Sequence, residues 1–225
     1  MYIASLVFFL FALLLPTLTA AWTASDTEGL LKKMEAAYVG IDDYQTRLEI
    51  KDRWRDGSLR IKKVLYTFKK PQWIRLDFES PHPGMVLVYP DRNGKAVVRP
   101  SGWARFFRFR LGPDNFLLKV SPGQRIDQTD LGLLIRNISH SLTDRRRGQV
   151  EVQEEDGHTR FRVLADNHFR EGIVTRYQFL IDRRLWLPVE VEESRPDGIL
   201  ERLVVFQGLR VNIGFPDSFF QLNGG

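Results

Sequence analysis

No cysteine occurs among the 225 residues. A disulfide framework is thereby excluded, as are thiol catalysis and thiolate metal sites, and burial alone has to hold the fold together. Metal-ligand spacing is missing as well: His82, His140, His158 and His168 are scattered, with no His-x-x-Glu-His or related pattern. There is no Gly-x-Ser-x-Gly elbow and no phosphate-cradling glycine loop. No Ser/Gly linker, low-complexity tract or internal repeat divides the chain. No residue therefore argues for an enzyme. The expectation is a non-enzyme with no catalytic residues, no metal and no cofactor.

What is present begins with an apolar, uncharged run from Ile3 to Leu15, followed by Pro16 and small residues. This is the h-region and cleavage region of a secretory signal, too short and too poorly flanked to read as a membrane span. Residues 1–21 are read as a signal peptide cleaved after Ala20 or Ala21, and residues 22–225 as one domain. The n-region holds no Lys or Arg, so the alternative is an uncleaved inner-membrane anchor. Either way the bulk of the chain crosses a membrane. With no cysteine behind the leader, the chain is not itself a lipoprotein acylated at its N-terminus. Genomic nucleic acid is excluded as a partner, despite a net charge of +5 and a pI of about 9.5. A charge of that size suits a mixed, soluble surface; its functional reading is a mild preference for anionic headgroups.

Ser25 and Glu28 stand at capping-box spacing. Leu30, Leu31, Met34, Tyr38 and Ile41 then follow one helical stripe, with Gly40 as a stop. From Tyr44 the period changes to two. Short runs rich in Val, Ile, Leu, Tyr and Phe, such as WIRLDFES and MVLVYP, are punctuated by Asp56-Gly57, Pro83-Gly84 and Asn93-Gly94. Strands so close together, without helices between them, form an antiparallel meander. A second amphipathic helix is expected at Leu131, Leu134, Ile135, Ile138 and Leu142, capped by Thr129 or Asp130, with Arg145, Arg146 and Arg147 favouring its C-terminal dipole. Strands then resume to the end, about ten in all. A sheet of that size curls, and two helices are available to cover its hollow side. The glutamates Glu190, Glu192 and Glu193 read as an outer strand face rather than a carboxylate pair.

The stretch GWARFFRFRLGP, Gly102 to Pro113, interleaves aromatics with arginines. Such a pattern stacks on single-stranded nucleic acid, sits at a lipid headgroup boundary, or forms a strand with one dry face. As a strand it places Phe107, Phe109 and Leu111 inward and Phe106, Arg108 and Arg110 outward. The outward set is a candidate contact for a headgroup or a partner.

Two segments carry a family resemblance: FKKPQWIRLDFESPHPG, and the closing run from Ile181 with its Leu-Pro, its Asp-Gly turn and Asn212, Pro216, Asp217 and Phe219 or Phe220. Their order and spacing resemble the LolA-like proteins that sort outer-membrane lipoproteins. The resemblance implies an α+β fold: an unclosed, strongly curved antiparallel β-sheet, or half-barrel, whose α-helices cover the concave face. It implies a periplasmic monomer, a cargo of acylated lipoprotein or lipid, transient membrane contact, an inner-membrane exporter as donor and an outer-membrane acceptor. Inward residues expected to share the lipid-binding cavity are Leu76, Phe78, Leu87, Phe107, Phe109, Tyr177, Phe179, Val189 and Val191. Arg75 is a candidate for the family's lid-contacting arginine and, with Phe106, Arg108 and Arg110, for headgroup or partner contact. The alternative is a sensor or regulatory module on the same half-barrel, like the RseB/MucB proteins, which carry a second domain that this chain is read to lack.

Overall fold

A computed structural model describes residues 24–54, 56–115, 118, 124–143 and 150–222. The expected signal peptide and the arginines at 145–147 lie outside the described residues. Helix α1 (Ala24–Val39) leads into strands β1 (Asp43–Arg53), β2 (Leu59–Lys69), β3 (Trp73–Ser80), β4 (Val86–Tyr89), β5 (Ala96–Arg99) and β6 (Phe109–Leu111). Helix α2 (Leu131–Thr143) follows, then β7 (Glu151–Glu155), β8 (His158–Asp166), β9 (Val174–Asp182), β10 (Leu187–Ser194) and β11 (Leu200–Val211). Among the described residues no helix is long and apolar enough to cross a membrane.

All the strands join one antiparallel sheet in the order β6-β5-β4-β3-β2-β1-β11-β10-β9-β8-β7. It is two meanders joined where the first strand pairs with the last, Leu48 opposite Phe206 and Ile50 opposite Val204. The edge strands among the described residues, β6 and β7, are consecutive in strand order yet stand at opposite ends of the sheet. The connection between them must therefore traverse one face, and α2 lies in that connection. The resulting unclosed sheet under two helices is the architecture expected from the period change.

The helices bury what the stripes promised. Leu30, Leu31 and Met34 of α1, and Leu131, Ile135, Ile138 and Leu142 of α2, pack with inward residues of both meanders in one core. Glu28 does not close a capping box: its carboxylate is held by Lys32, 2.6 Å away and one turn on. The other face of β3–β5 is covered by the C-terminal segment. Val86, Val88 and Val97 form a small second cluster against Leu222.

That segment is clasped to the start of β1. The buried Asp43 carboxylate accepts hydrogen bonds from the backbone N–H groups of Ile213, Gly214 and Phe215 (2.6, 2.9 and 2.8 Å). Asn212 accepts from the Asp42 N–H and donates to the Gly40 carbonyl. Asp217 pairs with Lys69 at 2.6 Å, and Phe220 is buried with its edge on Trp73. The closing motif is thus a clasp, each named residue serving to tie the tail across the sheet.

Candidate functional site

Where α2 crosses the sheet it leaves a cleft. The helix is anchored at its first turn. Asp130 caps it by accepting from the Leu133 N–H (3.0 Å), and the Leu131 N–H donates to the buried Tyr44 hydroxyl (3.0 Å). Tyr38 of α1 donates to Asp130 (3.1 Å), and Tyr66 bonds Thr129 (3.2 Å). Close approach of the two helices rests on Gly132: a Cβ there would lie 2.4 Å from the Tyr38 ring. Burial pushes the hydroxyls of Tyr44 and Tyr66 upward, so they stay neutral.

The cleft floor is apolar, made by Leu48 and Ile50 of β1, Tyr177 and Phe179 of β9, and Val191 of β10, with Leu133 and Leu134 of α2 above. Tyr177 stacks on Phe179 at 5.4 Å and on His168 at 4.7 Å. The His168 Nε2 bonds the Ser141 hydroxyl at 3.0 Å, a second tie near the far end of α2. Burial, then the neighbouring His140, pulls the His168 pKa down to about 4, so the ring is neutral at neutral pH. At the polar end lie Glu193 and Arg202. Burial raises the Glu193 carboxyl against the opposing pull of Arg202. Arg202 is only 7% exposed, faces Asp52 at 3.8 Å, and its Nη1 has no hydrogen-bond partner. The enclosed space is about 80 Å³, so the cleft is closed down on itself. Among the described residues no group of histidines and carboxylates is placed to hold a metal ion.

Of the residues expected to line the cavity, Tyr177, Phe179 and Val191 line this cleft. Leu76 and Leu87 are buried in the core and Phe78 packs at its margin, all three outside the cleft lining. Val189 is corrected: a bulge between Pro188 and Glu190 leaves it unpaired, and it lines a different groove with Leu180 and Val205. Past the bulge Glu193 pairs with Tyr177 and faces the cleft, not an outer surface with Glu190 and Glu192.

Phe107 and Phe109 are corrected too. Gly102, at φ +66°, opens a 3-10 turn through Phe106 instead of a strand, so Phe107 lies outside the sheet. Phe109 does pair with Val98, Val98 with Leu87 and Leu87 with Leu76, which sets it on the inner face. Among the described residues no helix reaches that far, and Phe107 and Phe109 are 54% and 50% exposed. Arg75, read as free for a lid or headgroup, is committed to the tail clasp. It holds Asp77 through two hydrogen bonds, donates to the Phe219 carbonyl and stacks on the Phe219 ring. Phe106 is exposed at the end of the 3-10 turn, Arg110 is exposed near Asp91 at 3.4 Å, and Arg108 is half-buried, donating to the carbonyls of Arg105 and Phe107.

The sequence reading missed Leu48, Ile50, His168, Glu193 and Arg202. Alternation signals the first two. His168 lies in the loop between β8 and β9, outside any strand pattern, and Glu193 and Arg202 are in phase with Val191 and Val204 but carry charges that read as outward.

No protein-family model and no curated protein matches the chain. Among solved structures it is similar to MucB, at 12% identity and a TM-score of 0.48 over 89% of this chain and 64% of that one. It is also similar to a LolA superfamily protein from Nitrosomonas europaea, at 12% identity and 0.40, over 89% and 98%. A third is a DUF1329 family protein from Desulfovibrio piger, at 12% and 0.44, over 86% and 95%.

Proposed function

We propose that this chain is an exported, non-catalytic carrier of the periplasm. It takes the acyl part of a lipid or lipidated protein between α2 and the sheet and passes it towards the outer membrane. The observation that carries this reading is the cleft itself: a helix laid by the topology across an apolar sheet face, tied down by polar contacts at its two ends and by apolar packing between. Each methylene buried there contributes about 0.8 kcal/mol, so a short stretch of acyl chain gives useful affinity.

The present space of 80 Å³ is well below the ~300–1,000 Å³ of pockets that enclose a small molecule. Entry therefore requires α2 to lift, hinging on its anchored first turn while the tie from Ser141 to His168 opens. The same small volume favours a second reading, a sensor or regulatory module that binds protein through its surface.

Native mass spectrometry with lipid extraction, on protein purified without detergent from its own compartment, tests the carrier. Co-purifying lipid or acylated protein is the expected result. A protein that arrives empty and also takes up no fluorescent fatty acid overturns it in favour of the regulatory module.

A further inference from the structure

Residues 91–114 hold six basic and two acidic side chains, so about a tenth of the chain carries +4 of its +5. The same stretch exposes a run of large apolar rings: Trp103 is 84% and Phe106 75% exposed, and Phe107 and Phe109 stand beside them. A soluble surface scatters such residues singly; gathered together they mark a contact. Here they share one projection. Trp103 and Phe106 sit on the 3-10 turn Gly102–Phe106 and, with Arg99, Arg105 and Arg108, line an open groove of about 750 Å³. Trp103 meets Phe107 edge-on at 6.4 Å, and the Arg105 guanidinium lies 5.1 Å from the centre of the Phe106 ring. Arg108 braces the turn and the residue after it by donating to the carbonyls of Arg105 and Phe107 at 2.7 and 3.0 Å.

We infer that this turn, beside the edge strand β6, is a docking tip for the surface of an anionic lipid bilayer. Its Trp103 and Phe106 enter the headgroup boundary, and Arg99, Arg105 and Arg110 meet lipid phosphates. Rings with an apolar body settle at that boundary, and a cluster of arginines adds attraction to anionic lipid. The alternation of ring and guanidinium fits an interface in which both are satisfied within a few ångströms. A flat apolar protein partner would leave the guanidinium groups unpaired. The inference goes beyond the carrier reading and stands whether or not the α2 cleft takes an acyl chain.

The absence of cysteine makes the test direct, because Phe106→Cys in the full chain gives a single labelling site for an environment-sensitive fluorophore. With vesicles of phosphatidylethanolamine and phosphatidylglycerol the label moves to an apolar environment. With pure phosphatidylcholine, or in high salt, the response weakens. The same label at Glu154→Cys, on the opposite sheet edge, does not respond. Arg105→Glu combined with Arg110→Glu lowers vesicle affinity at least about twentyfold, at roughly fivefold for each charge removed near an anionic surface. The apolar run Ile3–Leu15 is common to all these chains, so affinity unchanged by the charge reversal would locate binding there and overturn the inference. A label at 106 that stays in water with vesicles but is buried by a protein ligand would overturn the lipid assignment.

Discussion

Tyr177 and Phe109 lie on the same side of one continuous sheet, yet the first is fully buried and the second half exposed. The difference is what lies above them. Over β9 and β10 stands α2, carried there by the need to pass from one sheet edge to the other. Over β6 the described residues place no helix. A strand's alternation decides which side a ring faces; a distant element decides whether that side is dry. The covered region is a core with a closed cleft in it, and the bare region is a cluster of rings and arginines at an edge.

The comparison can be broken by stability measurements. The largest contrast is between rings: Phe179→Ala is expected to cost about 3–5 kcal/mol, as for other fully buried aromatics. Phe109→Ala should stay within about 0.5 kcal/mol in urea unfolding. A comparable cost at both positions would mean that the β6 edge is covered after all.

Acid sharpens the comparison next. The folded-state pKa of His168 lies at about 4, below the ordinary value near 6.5. Its contribution is complete above pH ~6.5 and is lost as pH falls towards 4, amounting to at most about 3 kcal/mol. His168→Gln should remove that part of the pH dependence, read as the difference between the two chains at pH 7 and pH 4. Identical slopes would place His168 in water.

Smaller still is the pair of glycines. Gly132→Ala has to displace the Tyr38 ring and is expected to cost about 1–3 kcal/mol, less the ~1 kcal/mol that alanine returns in a helix. At Gly112, just past β6, an added Cβ meets nothing within 4 Å, and Gly112→Ala should be nearly silent in a thermal melt.

Much of this was legible in the residues. WIRLDFES forms β3 over those eight residues, and the stripe from Leu131 to Leu142 is the buried face of α2. The reading failed where local pattern competes with backbone chemistry or with partners far along the chain. Gly102 at positive φ turns GWARF into a helical turn although its aromatics alternate like a strand. A single extra residue at Val189 removes it from the inner face, and Glu193, in phase with Val191, faces inward although its charge reads as outward. Arg75 looks like a free outward cation until the tail, more than 140 residues later, arrives to occupy it. Asp77, two residues on in the same strand, is a partner the sequence shows; the Phe219 carbonyl and ring have no local signature, because they belong to another element.

The seam between β1 and β11 has a consequence in time. The strand made first waits for the strand made last, since both hydrogen-bonding edges of β1 are filled only when β11 docks against it. Long-range pairing of this kind folds slowly. Made from its N-terminus, the chain therefore cannot complete its sheet until nearly all of it has been synthesised, and the Asp43 clasp closes in the same late event.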